Sequence, residues 1–126
     1  MSDVVETKKN RIWVEKGIRF DEVKDNVMII LEDAQENLMA YYRVTIREAA
    51  PTLFNLIGLK SMSHDAREYL AGKHAQASVT AMALLVGAPI TEITASHYIK
   101  LSKPAFPAQI FTTKEEALAW LEQYKK

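Results

Sequence analysis

The second half of the sequence alternates apolar runs with stretches of helical pattern, and this alternation constrains the fold more than any other feature. The run at 79–86 is apolar except for Thr80, so both of its faces must be covered. Helices packed on a parallel sheet supply such cover, because parallel strands are joined by right-handed helical crossovers. The alternating units are a strand at 53–57 with a helix that begins near Ser63 and ends at Gly72, a strand at 79–86 with a helix at 90–101, and a strand at 107–112 with a helix whose N-cap is Thr113. The sequence therefore predicts an α/β domain with a mostly parallel sheet of about four to five strands.

The first half of the chain predicts a β-hairpin followed by one helix. In the segment 11–24, apolar residues recur on both sides of Gly17, which is typical of two short strands around a turn. The apolar segment 27–31 fits either the end of a strand or the lead-in to a helix. A helix is predicted at 32–44, and its apolar stripe consists of Leu31, Ala34, Leu38, Tyr41 and Thr45.

Charge and composition narrow the classes of function. Sixteen basic residues balance sixteen acidic ones, which argues against nucleic-acid binding, because such binding needs a basic excess. Cysteine is absent, which excludes disulfides and thiolate metal sites. The first ten residues lack the apolar segment of a secretory signal, and the most apolar run is too short to span a bilayer. We therefore expect a cytoplasmic protein without stable membrane insertion, in which residues 1–9 form a flexible arm and residues 10–126 form one domain.

Residues that could carry chemistry are scattered along the chain. The histidines are His64, His74 and His97, and although His64 shares a helix face with Glu68, two groups alone do not make a metal site. The sequence contains neither a glycine-rich nucleotide loop nor a Gly-x-Ser-x-Gly nucleophile motif. It therefore predicts no catalytic residue, no metal and no cofactor.

Three stretches of the sequence together resemble a known group of bacterial proteins. They are Asn55-Leu56-x-Gly58 followed by Ala66-Arg67-Glu68-Tyr69, then Ala83-Leu84-Leu85-Val86-Gly87-Ala88-Pro89, and finally Lys103-Pro104-x-Phe106-Pro107 followed by Glu115-Glu116-Ala117-Leu118. Together with the predicted hairpin and the first helix, these stretches make residues 11–122 similar to the SpoIIAA-like proteins. That group joins the STAS domains of sporulation anti-anti-sigma factors to the CRAL-TRIO lipid-transfer fold. The resemblance implies a STAS-like fold and an interaction or regulatory module, since the group has no settled enzymatic activity.

The corner between the strand at 53–57 and the next helix departs from the STAS pattern. In STAS switch domains a serine at the start of this helix accepts phosphate from a partner kinase. Here the matching position falls on His64 or Asp65, while Ser61 and Ser63 lie nearby. Serine is a favoured N-cap residue, and a phosphate on Ser63 would also meet the free amides of a helix N-terminus favourably. We predict that Ser63 is the helix cap, and we keep a regulatory phosphosite as the alternative.

The predicted helix at 90–101 has more apolar residues than one buried face requires. A helix that covers one side of a sheet should be polar on its outer face. Either neighbouring loops cover the surplus, or the helix contributes a contact surface for a partner or an apolar ligand. The residues of this predicted surface are Ile90, Ile93, His97, Tyr98 and Leu101.

These features leave three hypotheses for function. The first is a non-catalytic STAS-like module that binds a protein partner or itself as a homodimer. The second is a binder of a small apolar or lipid-like ligand, and the third is a switch controlled by a phosphoserine. We expect the first, and we expect that the protein is not an enzyme.

Overall fold

The computed structural model describes residues 4–125 and contains a central sheet with helices on both sides. The strands are β1 (Val5–Glu6), β2 (Asn10–Glu15), β3 (Ile18–Val23), β4 (Val27–Ile29), β5 (Ala50–Asn55), β6 (Leu59–Met62), β7 (Val79–Leu85) and β8 (Ala108–Phe111). The α-helices are α1 (Leu31–Val44), α2 (His64–Ala71), α3 (Lys73–Gln76), α4 (Pro89–His97) and α5 (Lys114–Glu122), and a π-helical segment, Tyr98–Ser102, continues α4.

The main sheet has six strands in the order β1-β2-β3-β5-β7-β8. The first three strands pair antiparallel, whereas β3, β5, β7 and β8 run parallel to one another. The predicted α/β class with a mostly parallel sheet is therefore confirmed, although the sheet has more strands than the four to five expected. The N-terminal hairpin, β2 and β3, joins this sheet, and β1 adds a further strand at its edge.

The predicted flexible arm is wrong for its described part. Val5 pairs with Ile12 and Glu6 pairs with Arg11 in the ladder between β1 and β2. The hydroxyl of the buried Thr7 accepts a hydrogen bond from the Asn10 amide at 2.9 Å. Backbone pairing with β2 thus gives regular structure to the segment around Val5 and Glu6, which contains few apolar residues. The arm's residues 1–3 lie outside the described residues.

A second, two-stranded parallel sheet joins β4 to β6. The open choice for the segment 27–31 is thereby settled: its first part is a strand, and α1 begins at Leu31. Strand β6 lies in the corner between the strand predicted at 53–57 and the helix predicted to begin near Ser63. Gly58 permits this arrangement, because a Cβ at that position would lie 2.7 Å from the carbonyl oxygen of Lys24.

Two hydrophobic layers cover the faces of the main sheet. Helix α5 packs on one face, where Ala117 and Leu121 meet Phe20, Leu53 and other residues of the sheet. Helices α1, α2 and α4 cover the other face and contribute Leu38, Leu70 and Ala95 to the larger layer. No helix within residues 4–125 has both the length and the apolar character needed to cross a membrane.

Candidate functional site

The predicted corner is a helix cap in the structure. Ser63 is the N-cap of α2, and its Oγ accepts a hydrogen bond from the Ala66 amide at 3.1 Å. His64 and Asp65 are exposed in the first turn of α2, and Ser61 is half-buried in β6. The cap prediction is confirmed, while phosphorylation at Ser61 or Ser63 stays a prediction.

The predicted surface on α4 is only partly exposed. Ile90, Ile93 and Leu101 are 45%, 51% and 60% exposed, and His97 is also exposed. Tyr98 was wrongly assigned to this surface: it is 3% exposed, and its hydroxyl donates to the carbonyl oxygen of Leu70 at 2.7 Å. Burial raises the pKa of Tyr98 above its ordinary value. Tyr98 therefore links the end of α4 to α2 by a hydrogen bond. The role of Ile90, Ile93, His97 and Leu101 as a contact surface stays a prediction.

A polar cluster that the sequence did not predict is buried between the sheet and α1. We call it the buried polar cluster, and its members are Asn10, Arg19, Asp21, Asn37 and Tyr41, each at 0% exposed. Strands β2 and β3 supply the first three side chains, and α1 supplies the other two. Charged residues are almost never fully buried unless they are paired, so the partners of Arg19 and Asp21 show what the cluster does.

The Asp21 carboxylate joins β3 to its neighbour β2 and to α1. One oxygen accepts a hydrogen bond from the Asn10 Nδ2 at 2.6 Å. The other accepts from the Tyr41 hydroxyl and, at 3.5 Å, from the Asn37 Nδ2. Burial raises the pKa of Asp21 to about 6, and the hydrogen bonds from Tyr41 and Asn10 oppose that rise. The carboxylate thus fixes the rotation of α1 over the sheet.

The Arg19 guanidinium lies beside Tyr41, with its central carbon 4.4 Å from the ring centroid. It donates to the Thr52 Oγ1 in β5 at 3.0 Å and to the carbonyl oxygen of Ser78, the residue before β7, at 2.9 Å. Burial lowers the pKa of Arg19 to about 10, which leaves the side chain cationic at neutral pH. Five donors in a planar fork allow one arginine to make all of these bonds.

The same guanidinium also holds the turn that follows α1. Its second terminal nitrogen donates to the Thr45 Oγ1 at 2.9 Å and to the Glu48 carbonyl oxygen at 3.2 Å. Between these two anchors, Ile46 and Arg47 have φ angles of 51° and 67°. A left-handed backbone is uncommon outside glycine and is a genuine outlier for a β-branched residue such as isoleucine. Such strain persists only where the surrounding structure holds it, and here Arg19 holds both ends of the turn.

The outcome of this anchoring is an exposed apolar surface at the end of α1. Met39 is 68% exposed, Tyr42 is 37% exposed and Ile46 is 84% exposed. With Arg43 and Arg47, these side chains line an open groove of about 630 Å³. The outward face of the helix begins with Glu32, Gln35 and Glu36. We call the whole face, from Glu32 to Arg47, the α1 surface.

A second cavity, of about 490 Å³, lies at the carboxyl ends of β3 and β5. Open α/β sheets often bind ligands at this edge. Three of its charged groups are already paired, because Arg11 lies 3.0 Å from a Glu6 oxygen and 3.6 Å from a Glu22 oxygen, and Lys24 lies 3.6 Å from Glu6. This cavity therefore offers less free binding capacity than the α1 surface.

Sequence reasoning missed both the buried polar cluster and the α1 surface. In a hairpin strand, alternating polar residues such as Arg19 and Asp21 are read as facing solvent. One signal was present: Asn37 lies between Ala34 and Tyr41 on the apolar stripe of α1, and a polar residue there must find a buried partner. Within residues 4–125, no group of three or more histidine or acidic side chains is arranged to hold a metal ion.

Comparison with known proteins places the fold and the family. The chain is similar to a crystal structure of an uncharacterized protein of the DUF3478 family, with a SpoIIAA-like fold, from Shewanella loihica PV-4. The TM-score is 0.59 at 13% sequence identity, and the match covers 96% of this chain and 92% of the other. The SpoIIAA-like fold that the resemblance implied is thereby confirmed. No curated protein matches this sequence. A family model matches residues 12–125, and the chain belongs to that family, which is described as a domain of unknown function, DUF7793.

Proposed function

We propose that this domain is a non-catalytic interaction module that binds a protein through the α1 surface. The observation that carries the proposal is the left-handed turn at Ile46 and Arg47, which presents an isoleucine at 84% exposure. A strained backbone conformation costs on the order of 1–3 kcal/mol per residue, so a turn of this kind suggests a function that offsets the cost.

The chemistry of the α1 surface suits a protein partner. Met39, Tyr42 and Ile46 provide apolar contact area, and Arg43 and Arg47 flank them with positive charge. Methionine, tyrosine and arginine are enriched at protein–protein interfaces, and tyrosine and arginine are frequent hot spots there. Neither arginine side chain makes an ion pair or a hydrogen bond within residues 4–125, so both are free to contact a partner.

The charged groups inside the domain support a structural role for the buried polar cluster. Asp21 and Arg19 are enclosed by protein and engaged by side chains or carbonyl groups of their own chain. A catalytic pair would need access to a substrate. The cluster instead holds α1 and its turn in one position, and this rigidity favours binding because less ordering is needed when a partner arrives.

Site-specific photo-crosslinking tests the proposal. A photo-crosslinking amino acid in place of Met39 should capture a protein in the cell of origin, whereas the same amino acid in place of Ala119 should not. Ala119 is exposed on α5, on the opposite side of the sheet, and serves as the matched control. Capture from position 39 should disappear when Ile46→Asp is added. Equal capture from both positions, or none from position 39, would contradict the proposal.

The two alternative functions make different predictions. A binder of apolar ligands would use the groove on α1 or the exposed isoleucines of α4, and native mass spectrometry after lipid exposure should detect a bound species. A phosphoserine switch would carry phosphate on Ser61 or Ser63, near Arg67, whose NH2 group lies 3.2 Å from the His64 Nδ1. A Ser63→Asp variant with unchanged binding, together with phosphate-free protein from cells, would exclude the switch.

A further inference from the structure

The α1 surface carries opposite charges at its two ends. Glu32 and Glu36 lie on the outward face of the first half of α1, and Arg43 and Arg47 lie on the outward face of its end and of the following turn. Met39 lies between the two charged ends and is 68% exposed. Residues three and four positions apart share one helix face, so Glu32, Glu36, Met39 and Arg43 form one continuous stripe.

This stripe is complementary to itself in one orientation. If a second α1 lies antiparallel on the first, then Glu36 faces Arg43 of the second copy and Glu32 faces Arg47 of the second copy. The Glu36–Arg43 pair is centred next to Met39, and the same alignment brings Arg47, in the turn beyond the end of α1, to the Glu32 end of the second copy. A two-fold axis through that centre repeats each pair, which gives four opposite-charge contacts around the two Met39 side chains. A parallel alignment would instead oppose like charges.

We propose that the partner of the α1 surface is a second copy of this chain, bound antiparallel along α1. The inference rests on the proposed function and names its partner. The apolar side chains Met39, Tyr42 and Ile46 supply the buried area, and the charges select the orientation. Exposed ion pairs are individually weak, so their main effect is on specificity and on salt dependence.

Charge reversal tests the pairing. Variant A carries Arg43→Glu and Arg47→Glu, and variant B carries Glu32→Arg and Glu36→Arg. Each variant alone opposes like charges across the two-fold axis, and each should dimerise at least ~10-fold more weakly than the parent. An equimolar mixture of A and B restores every opposite-charge contact, so it should dimerise about as well as the parent.

Sedimentation velocity over a range of protein and salt concentrations provides the measurement. The parent dimer should weaken as salt rises, because salt screens exposed charges. The matched control carries Glu92→Arg and Lys100→Glu, two exposed residues of α4 and the segment that follows it, and should dimerise like the parent. Circular dichroism reports whether each variant keeps its helices, since reversed charges at helix ends are mildly destabilising.

The outcomes separate this inference from the proposed function. A parent that stays monomeric up to about 1 mM, or a mixture of A and B that stays as weak as either variant, overturns the inference. If that monomer still crosslinks from position 39 to a different protein, the proposed function stands with another partner. If neither a dimer nor a crosslink forms, both fail. Recovery of the dimer only in the mixture establishes the antiparallel pairing.

Discussion

Strand β3 presents opposite chemistry to the two sides of the sheet. Ile18 and Phe20 pack in an apolar layer under α5, whereas Arg19 and Asp21, which alternate with them, are buried under α1. Burial of apolar surface is non-directional, so many side chains of suitable volume can fill the layer under α5. Hydrogen bonds to buried charges demand particular distances and angles. The difference teaches that one side of this sheet supplies stability, while the other also fixes the position of the helix that carries the exposed surface.

The largest expected effect follows from removing Arg19. Arg19→Met should lower the free energy of unfolding by about 3–5 kcal/mol, because it leaves buried hydrogen-bonding groups without partners. It should also change the NMR chemical shifts of Ile46 and Arg47, since the turn loses the anchors at Thr45 and Glu48.

A control for Arg19 exists on the apolar side of the sheet. Leu121→Ala should lower the free energy of unfolding by about 2–5 kcal/mol and leave the shifts of the turn unchanged. If both variants altered the turn equally, the contrast between the two sides of the sheet would be wrong. Arg19→Lys provides a milder change, since lysine keeps the charge but lacks the planar fork of donors.

A smaller effect is expected from Tyr41→Phe. The variant removes a hydrogen bond to a buried carboxylate, so the free energy of unfolding should fall by about 1.5–3 kcal/mol in urea denaturation at pH 7. Tyr98→Phe is the matched control, because the Tyr98 hydroxyl donates to a neutral carbonyl oxygen instead. It should cost about 1 kcal/mol. A larger loss for Tyr98→Phe than for Tyr41→Phe would argue against a charged Asp21 at pH 7.

The pKa of Asp21 predicts an unusual pH dependence of stability. Its folded-state pKa is raised to about 6 from 3.8, so between these two values the folded state binds more protons than the unfolded state. Stability from this group therefore rises as the pH falls through 6 and levels off below about 4. The free energy of unfolding of the parent, relative to Asp21→Asn, should increase by about 2 kcal/mol from pH 7 to pH 4. A difference that is constant with pH would mean that Asp21 titrates normally.

The smallest expected effect distinguishes strain from binding. Ile46→Gly should raise the free energy of unfolding by up to about 1 kcal/mol, because glycine adopts a left-handed backbone without steric cost. The same change removes an apolar contact and should weaken binding at the α1 surface. Met39→Ala is the control, because it removes an exposed apolar side chain from regular helix and should change stability by less than about 0.5 kcal/mol. A loss of stability in Ile46→Gly would show that the turn is not strained.

The sequence predicted the fold well where local patterns were strong. The strand at 79–86 is observed as Val79–Leu85, and the helix at 32–44 is observed as Leu31–Val44. The helix at 90–101 is less regular than predicted, because it changes to a π-helical segment at Tyr98. Strands β1 and β6 were missed, since both are short and depend on pairing with a distant segment.

The candidate site was less accessible to sequence reasoning than the fold. Ser63 was predicted as a cap from its own type and position, and the structure agrees. The α1 surface was missed because the apolar stripe of α1 accounts for the helix without Met39, and no local pattern shows that the turn after the helix exposes Ile46. Tyr98 was predicted to lie on the exposed surface of α4, whereas its side chain contacts α2. The number of apolar residues on a helix does not reveal which of them reach a neighbouring helix.

The sequence by itself determined the α/β class, the main helices and strands, and the cap at Ser63. Those features depend on interactions between residues a few positions apart and on hydrophobic periodicity. Only the tertiary structure decided that Arg19 and Asp21 are buried, because their partners Thr52, Ser78 and Tyr41 come from segments that are distant in the chain. It also decided the left-handed turn at Ile46, since no local preference favours that backbone for isoleucine, and hydrogen bonds from the distant Arg19 support it together with those within the turn.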